Sequence, residues 1–195
     1  LVGKLNEPTR AALEGAAGLC LSRTHYNVEI EHWLIKLLEN SDSDLIAVLK
    51  KYEINIGRLA QQLNSELDRI RAGNTRAPAL SPNIVDLAKN AWLLASVEYG
   101  HSLATSAHLL AALLLDEGLR RNINVDELRK IAPESLRDMV RAIVGTTGES
   151  ATSAQGDTST VEGGATSATP SKSPALDKFT VNLTEAAKQG RIDAV

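Results

Sequence analysis

Positions 56 to 70 carry the clearest pattern in the chain: Ile56, Leu59, Leu63, Leu67 and Ile70 are spaced 3, 4, 4 and 3 residues apart, with polar or small residues between them. That spacing lays one apolar stripe along a helix, and Asn55 stands where an N-cap belongs. Three earlier helices are predicted to begin near Pro8, Glu31 and Ser43. Pro8 suits the first helical position, where its missing N–H has no intrahelical partner to lose.

The same pattern then starts again. At an offset of 74, Leu13, Ala17, Leu19 and Ser22 pair with Leu87, Ala91, Leu93 and Ser96; at 76, His25, His32, Leu34, Leu37 and Leu38 pair with His101, His108, Leu110, Leu113 and Leu114. Further on the offset is 69, matching "INI" at 54–56 to "INV" at 123–125 and Leu59 to Leu128. This predicts two tandem copies of a four-helix unit, about 5–72 and 80–145. In the second copy Ser81 caps a helix opened by Pro82, the next helix runs from Ala107 to Asp116, a short one covers "GLRR", and the fourth resumes at Asn124. A closing helix from Pro133 to Val144 carries Leu136, Val140 and Ile143 and can end at Gly145.

Composition separates the remainder. Residues 146–174 contain 21 Thr, Ser, Gly or Ala among 29, with Val161 as the one large aliphatic. Such a run cannot bury enough apolar area to offset the entropy of ordering, and it reads as a flexible linker. Residues 175–195 regain apolar side chains and read as the start of another domain, cut off at Val195. The expected organisation is a 1–145 domain, a 146–174 linker and a truncated 175–195 module. With 3% aromatics and few runs of strand-favouring residues, the fold class expected is all-α.

A net charge of −3 with no isolated basic cluster argues against nucleic acid as a partner. The single Cys20 has no partner for an internal disulfide, and neither a signal peptide nor a long apolar run is present, which points to a reducing, cytoplasmic setting without membrane insertion.

His32 and His108 are the natural suspects for chemistry. Each stands in the first turn of an equivalent helix, ahead of leucines that must face inward. A metal site would need further ligands at matching spacing, and the chain offers no H-x-x-x-H or C-x-x-C. The repeated histidines are therefore read as structural, each imidazole bonding to the preceding loop and fixing how the chain joins the helix. No phosphate loop, G-x-S-x-G or G-x-G-x-x-G occurs, and Asp42 and Asp44 lack the glycine and glutamate of a calcium loop. No catalytic residue, metal ligand or cofactor site is expected in this fragment.

The Ala-rich helix, the histidine followed by leucines and the "I-N-I/V" helix start resemble the double repeat of Clp N-terminal domains, the appendages of AAA+ unfoldases. "LDKFTVNLTEAAKQGRIDAV" is similar to the segment leading into the first ATPase module of such proteins. "GKLNEPTRAALEGAA", "EHWLIKLLENSDSDL" and "AWLLASVEYG" are most similar to the ClpV-type ATPases of bacterial type VI secretion. The resemblance covers 1–145 and 175–195 and implies a pseudo-twofold double Clp N-domain. One departure is Ile30, where many relatives cap the second helix with Ser or Thr; Ser106 is expected to keep that cap in the second copy.

The resemblance also implies a function. The intact protein would be a homohexamer, assembled through AAA+ modules missing here, that hydrolyses ATP with Mg in the bacterial cytoplasm. Its N-domain would bind an N-terminal helix of the large sheath subunit so that the motor can disassemble the contracted sheath. The rival is the N-domain of a ClpB-, ClpA- or ClpC-type disaggregase or unfoldase that meets aggregates or adaptor proteins. An amphipathic helix laid in an apolar groove fits either partner. The groove candidates are Leu1, Val2 and Leu5 with Leu80, Ile84, Val85 and Ala88, and the open alternative is that these residues complete the core.

Overall fold

The computed structural model describes residues 1–149, and residues 150–195, which include most of the expected linker and the expected start of a further module, lie outside the described residues. A 3-10 turn at Val2–Lys4 precedes α1 (Glu7–Ser22), β1 (Asn27–Val28), α2 (Ile30–Leu38), α3 (Asp44–Lys51) and α4 (Ile56–Arg69). The second half follows with β2 (Ala79–Leu80), α5 (Pro82–Tyr99), α6 (Ser106–Leu115), α7 (Glu117–Asn122), α8 (Asp126–Arg129) and α9 (Pro133–Ile143).

Local chemistry sets most of the helix starts. The side chains of Asn6, Ser43, Asn55 and Ser81 accept from the backbone N–H of Thr9, Ile46, Arg58 and Ile84, capping α1, α3, α4 and α5. Pro8 lies one residue inside the start of α1 and Pro82 opens α5. Along α4, Leu59, Leu63 and Leu67 are buried as the spacing predicts, with Ile56 and Ile70 half-buried at its ends. Gly100 ends α5 in the left-handed region at φ 69°, which a side chain would strain.

Two details differ from the sequence-based expectation. The caps of α2 and α6 are Glu29 and Thr105, so Ile30 and Ser106 are the first helical residues. The fourth helix of the second copy is four residues long and stops before Pro133. A proline removes a backbone donor, its ring clashes with the carbonyl four residues earlier, and it forces the preceding residue out of the α region. Ala132 is accordingly extended, at ψ 118°. The α9 helix then packs on α6 much as α4 packs on α2, so α8 and α9 together stand in for α4.

The copies are joined reciprocally. The strand before α2 pairs in parallel with the strand before α5, Asn27 with Ala79 and Val28 with Leu80. In turn, Leu5 before α1 makes a parallel bridge with Ala104 before α6. Each copy thus lends the segment ahead of its first helix to the segment ahead of the other's second, as pseudo-twofold packing requires. The core runs across the joint: α3 packs on α6 and α9, and every residue of α6 from Ser106 to Leu114 is buried. A helix apolar on all sides belongs at the centre of a bundle.

Candidate peptide-binding surface

The repeated histidines occupy equivalent, fully engaged positions. His32 Nδ1 accepts from the Glu29 N–H at 2.9 Å and His108 Nδ1 from the Thr105 N–H at 3.0 Å, while the Glu29 and Thr105 side chains accept from the N–H of the histidine. Each is a capping box with histidine in the place usually held by Glu or Gln. With Nδ1 an acceptor, the proton of the neutral ring sits on Nε2. It is directed at Nδ1 of a second histidine, His25 at 2.8 Å or His101 at 3.2 Å. Both rings are buried, and burial, with the neighbouring histidine adding to it, holds the pKa of His32 and of His108 down at about 4. No nitrogen of either ring is left to bind a metal or take a proton from a substrate.

Other reactive groups are equally occupied. Cys20 is buried and its Sγ donates to the Asn27 carbonyl at 3.2 Å; burial first, and the Glu29 charge second, push its thiol pKa up. A thiol held protonated in this way is a poor nucleophile. Among the described residues no group of three or more His, Cys, Asp or Glu could hold a metal ion. What the surface offers instead is exposed aliphatic area.

The seven groove candidates divide. Leu5, Ile84 and Ala88 are buried members of the core, which corrects their placement in an open groove. The reason is phase: Ile84 and Ala88 share the inward stripe of α5 with Leu87, Ala91 and Ala95, and Leu5 is held by its bridge to Ala104. Leu1, Val2 and Leu80 stand out at 51%, 40% and 44% exposure, and Val85 is half-buried. The α5 helix links them. Leu80 lies two residues before its start, Val85 lies in its first turn, and Trp92, seven residues on and therefore on the same face as Val85, lies beneath the Lys4 ammonium at 5.1 Å from the ring centroid. The N-terminal turn is thereby held against that face by a cation–π contact.

The structure also shows apolar surface that the sequence reading missed. Leu93 and Val97, the latter 79% exposed, border a cleft of about 480 Å³ between α5 and α6 with Leu94 and Leu115. Their signal was present, since both fall on the side of α5 opposite the Ala91–Ala95 stripe. A second cleft of about 420 Å³ lies between α1 and α2, floored by Ala11, Ala12 and Leu37. No helix among the described residues is long and apolar enough to cross a membrane.

Comparison with known proteins agrees with this architecture. The chain is 32% identical over 203 positions to the AAA+ ATPase ClpV1 of Pseudomonas aeruginosa and 31% identical over 202 positions to the chaperone protein ClpB of Yersinia enterocolitica. All of this chain is aligned in both cases, but it spans only 22% and 23% of the two relatives. A solved complex of a ClpV N-domain with a VipB peptide superposes with a TM-score of 0.63 at 30% identity, covering 74% of this chain and 91% of that one. The profile of the Clp repeat (R) N-terminal domain matches residues 4–125, the whole first copy and the second as far as Val125; the chain belongs to the Clp repeat N-terminal domain family.

Proposed function

We propose that this chain is the substrate-recognition domain of a ClpV-type AAA+ ATPase and that it binds an N-terminal helix of the large subunit of the type VI secretion sheath. The observation that carries the reading is the superposition on a ClpV N-domain that holds a VipB peptide, together with 32% identity to a ClpV1 along the whole chain. The partner helix lays its apolar face against Leu1, Val2, Leu80 and Val85, with Trp92 at the edge of the contact. Three or four anchors at about 1.5–3 kcal/mol each, less about 2–5 kcal/mol for ordering the peptide, give weak to micromolar binding at one site. Six copies on a homohexamer raise the avidity for a polymeric sheath.

ATP and Mg act in modules outside this domain, in the bacterial cytoplasm, and the domain itself is not an enzyme. It engages neither nucleic acid nor membrane. The nearly equal identity to a ClpB favours one alternative, an N-domain that meets unfolded protein. Titrating the chain with a labelled sheath-subunit N-terminal peptide and, separately, with a permanently unfolded protein distinguishes the two. Saturable micromolar binding of the sheath peptide is expected; saturation by the unfolded protein alone would overturn the sheath reading.

A further inference from the structure

The chain does not leave the folded body at Gly145, where a composition-based boundary falls. Thr146 N–H donates to the Ile143 carbonyl at 2.9 Å, Thr147 Oγ1 donates to Asp44 Oδ1, and the side chain of Glu149 is buried. One carboxylate there gathers at least five donors. Glu149 Oε1 accepts from Asn6 Nδ2 at 2.9 Å, from Ser106 N–H at 2.8 Å and from Thr9 Oγ1 at 3.2 Å. Its Oε2 accepts from the Asp44 N–H at 2.8 Å and from the Ser106 hydroxyl.

These donors belong to both copies. Asn6 and Thr9 stand at the start of α1 and Asp44 opens α3, all in the first copy, while Ser106 opens α6 in the second. The backbone N–H groups at a helix start have no intrahelical acceptor, and they carry the positive end of the helix dipole. A single buried anion therefore satisfies two helix starts that face each other across the joint. The Ser106 hydroxyl extends the link by accepting from the Leu45 N–H at 2.9 Å. Asp44 sits beside it with Oδ2 unpartnered, and burial, with the Glu149 charge adding to it, holds its carboxyl above the usual range. Glu149 also lines the cleft between α1 and α2.

We propose that residues 145–149 form a latch: Glu149 pins α3 of the first copy to α6 of the second, so that any pull applied to the chain beyond Glu149 is delivered to the joint between the copies. This holds whatever partner the domain binds. Amide hydrogen exchange on the full 195-residue chain tests it with Glu149→Ala and the milder Glu149→Gln. In Glu149→Ala the amides of Asp44 and Ser106 are expected to exchange at least 10-fold faster, with Leu63 in α4 nearly unchanged, and Glu149→Gln is expected to show a smaller rise at the same two positions. If Glu149→Ala does not fold, Glu149→Gln decides. Unchanged exchange at Asp44 and Ser106, or an equal rise at Leu63, would overturn the latch.

Discussion

Lowering the pH from 6.5 to 4 is expected to strip roughly 3 kcal/mol of folding stability for each of His32 and His108. The sign follows from proton uptake. In the unfolded chain both imidazoles protonate near 6.5, whereas in the fold both resist until about pH 4. Within that window the unfolded chain binds more protons, so stability is complete above pH 6.5 and falls as the pH drops. The first cause is burial, which disfavours the charged ring; a proton arriving at His32 Nδ1 or His108 Nδ1 also displaces the backbone N–H that the ring accepts from and so opens the capping box. The second histidine of each pair, and Arg23 near His32, add to the repulsion. The two rings sit in different copies, so their losses should add. Domains of this kind have only about 5–15 kcal/mol to lose, so a combined loss of about 6 kcal/mol removes a large part of that reserve near pH 4.

Urea titrations at pH 7, 6, 5 and 4.5 measure this directly. The informative variant is His32→Gln with His108→Gln, because glutamine at the same position can still close the capping box but does not titrate in this range. That variant is expected to lose about 1 kcal/mol per site at pH 7 with the histidine–histidine bond, and to show a much flatter pH profile. A profile as steep as that of the unaltered chain would place the titrating groups elsewhere.

Replacing Leu80 with Arg is expected to weaken binding of the sheath-subunit helix at least 10-fold while leaving the melting temperature nearly unchanged. Losing one buried leucine contact costs about 1.5–3 kcal/mol at an interface, and a charge placed in an apolar contact adds a desolvation cost. Stability should hold because Leu80 is exposed and contributes to the fold through its backbone pairing with Val28. Leu5→Ala and Ile84→Ala make the contrast. Both side chains are buried in the core, so they should destabilise the domain by about 2–5 kcal/mol whether or not a peptide is present. An unaltered affinity for Leu80→Arg would remove this face from the binding site.

What could be read in the sequence was whatever local spacing controls. The caps at Asn55 and Ser81, the Leu59–Leu63–Leu67 stripe and the duplicated histidines are all set within a turn or two of themselves. The caps of α2 and α6 were displaced by one residue because the reciprocal partner in each box is a histidine, and because Glu29 is an uncommon capping residue. Three of the seven groove candidates are buried, two of them for a reason that was legible: Ile84 and Ala88 lie in phase with the buried face of α5, and Val85 does not. Glu149 had no local signal at all. It stands in a run of Thr, Ser, Gly and Ala, and its partners lie 43 to 143 residues away in sequence.

The central claim is that a duplicated helical bundle offers an aliphatic face to a partner's helix and keeps its paired histidines for structure alone. Mapping backbone amide chemical shifts while the sheath-subunit peptide is added tests both halves at once. The account predicts saturating shifts in the N-terminal turn, at Leu80 and along α5 through Val85 and Trp92, with little change at His25, His32, His101 and His108. Shifts centred on the histidine pairs, with the N-terminal turn and Leu80 silent, would contradict it.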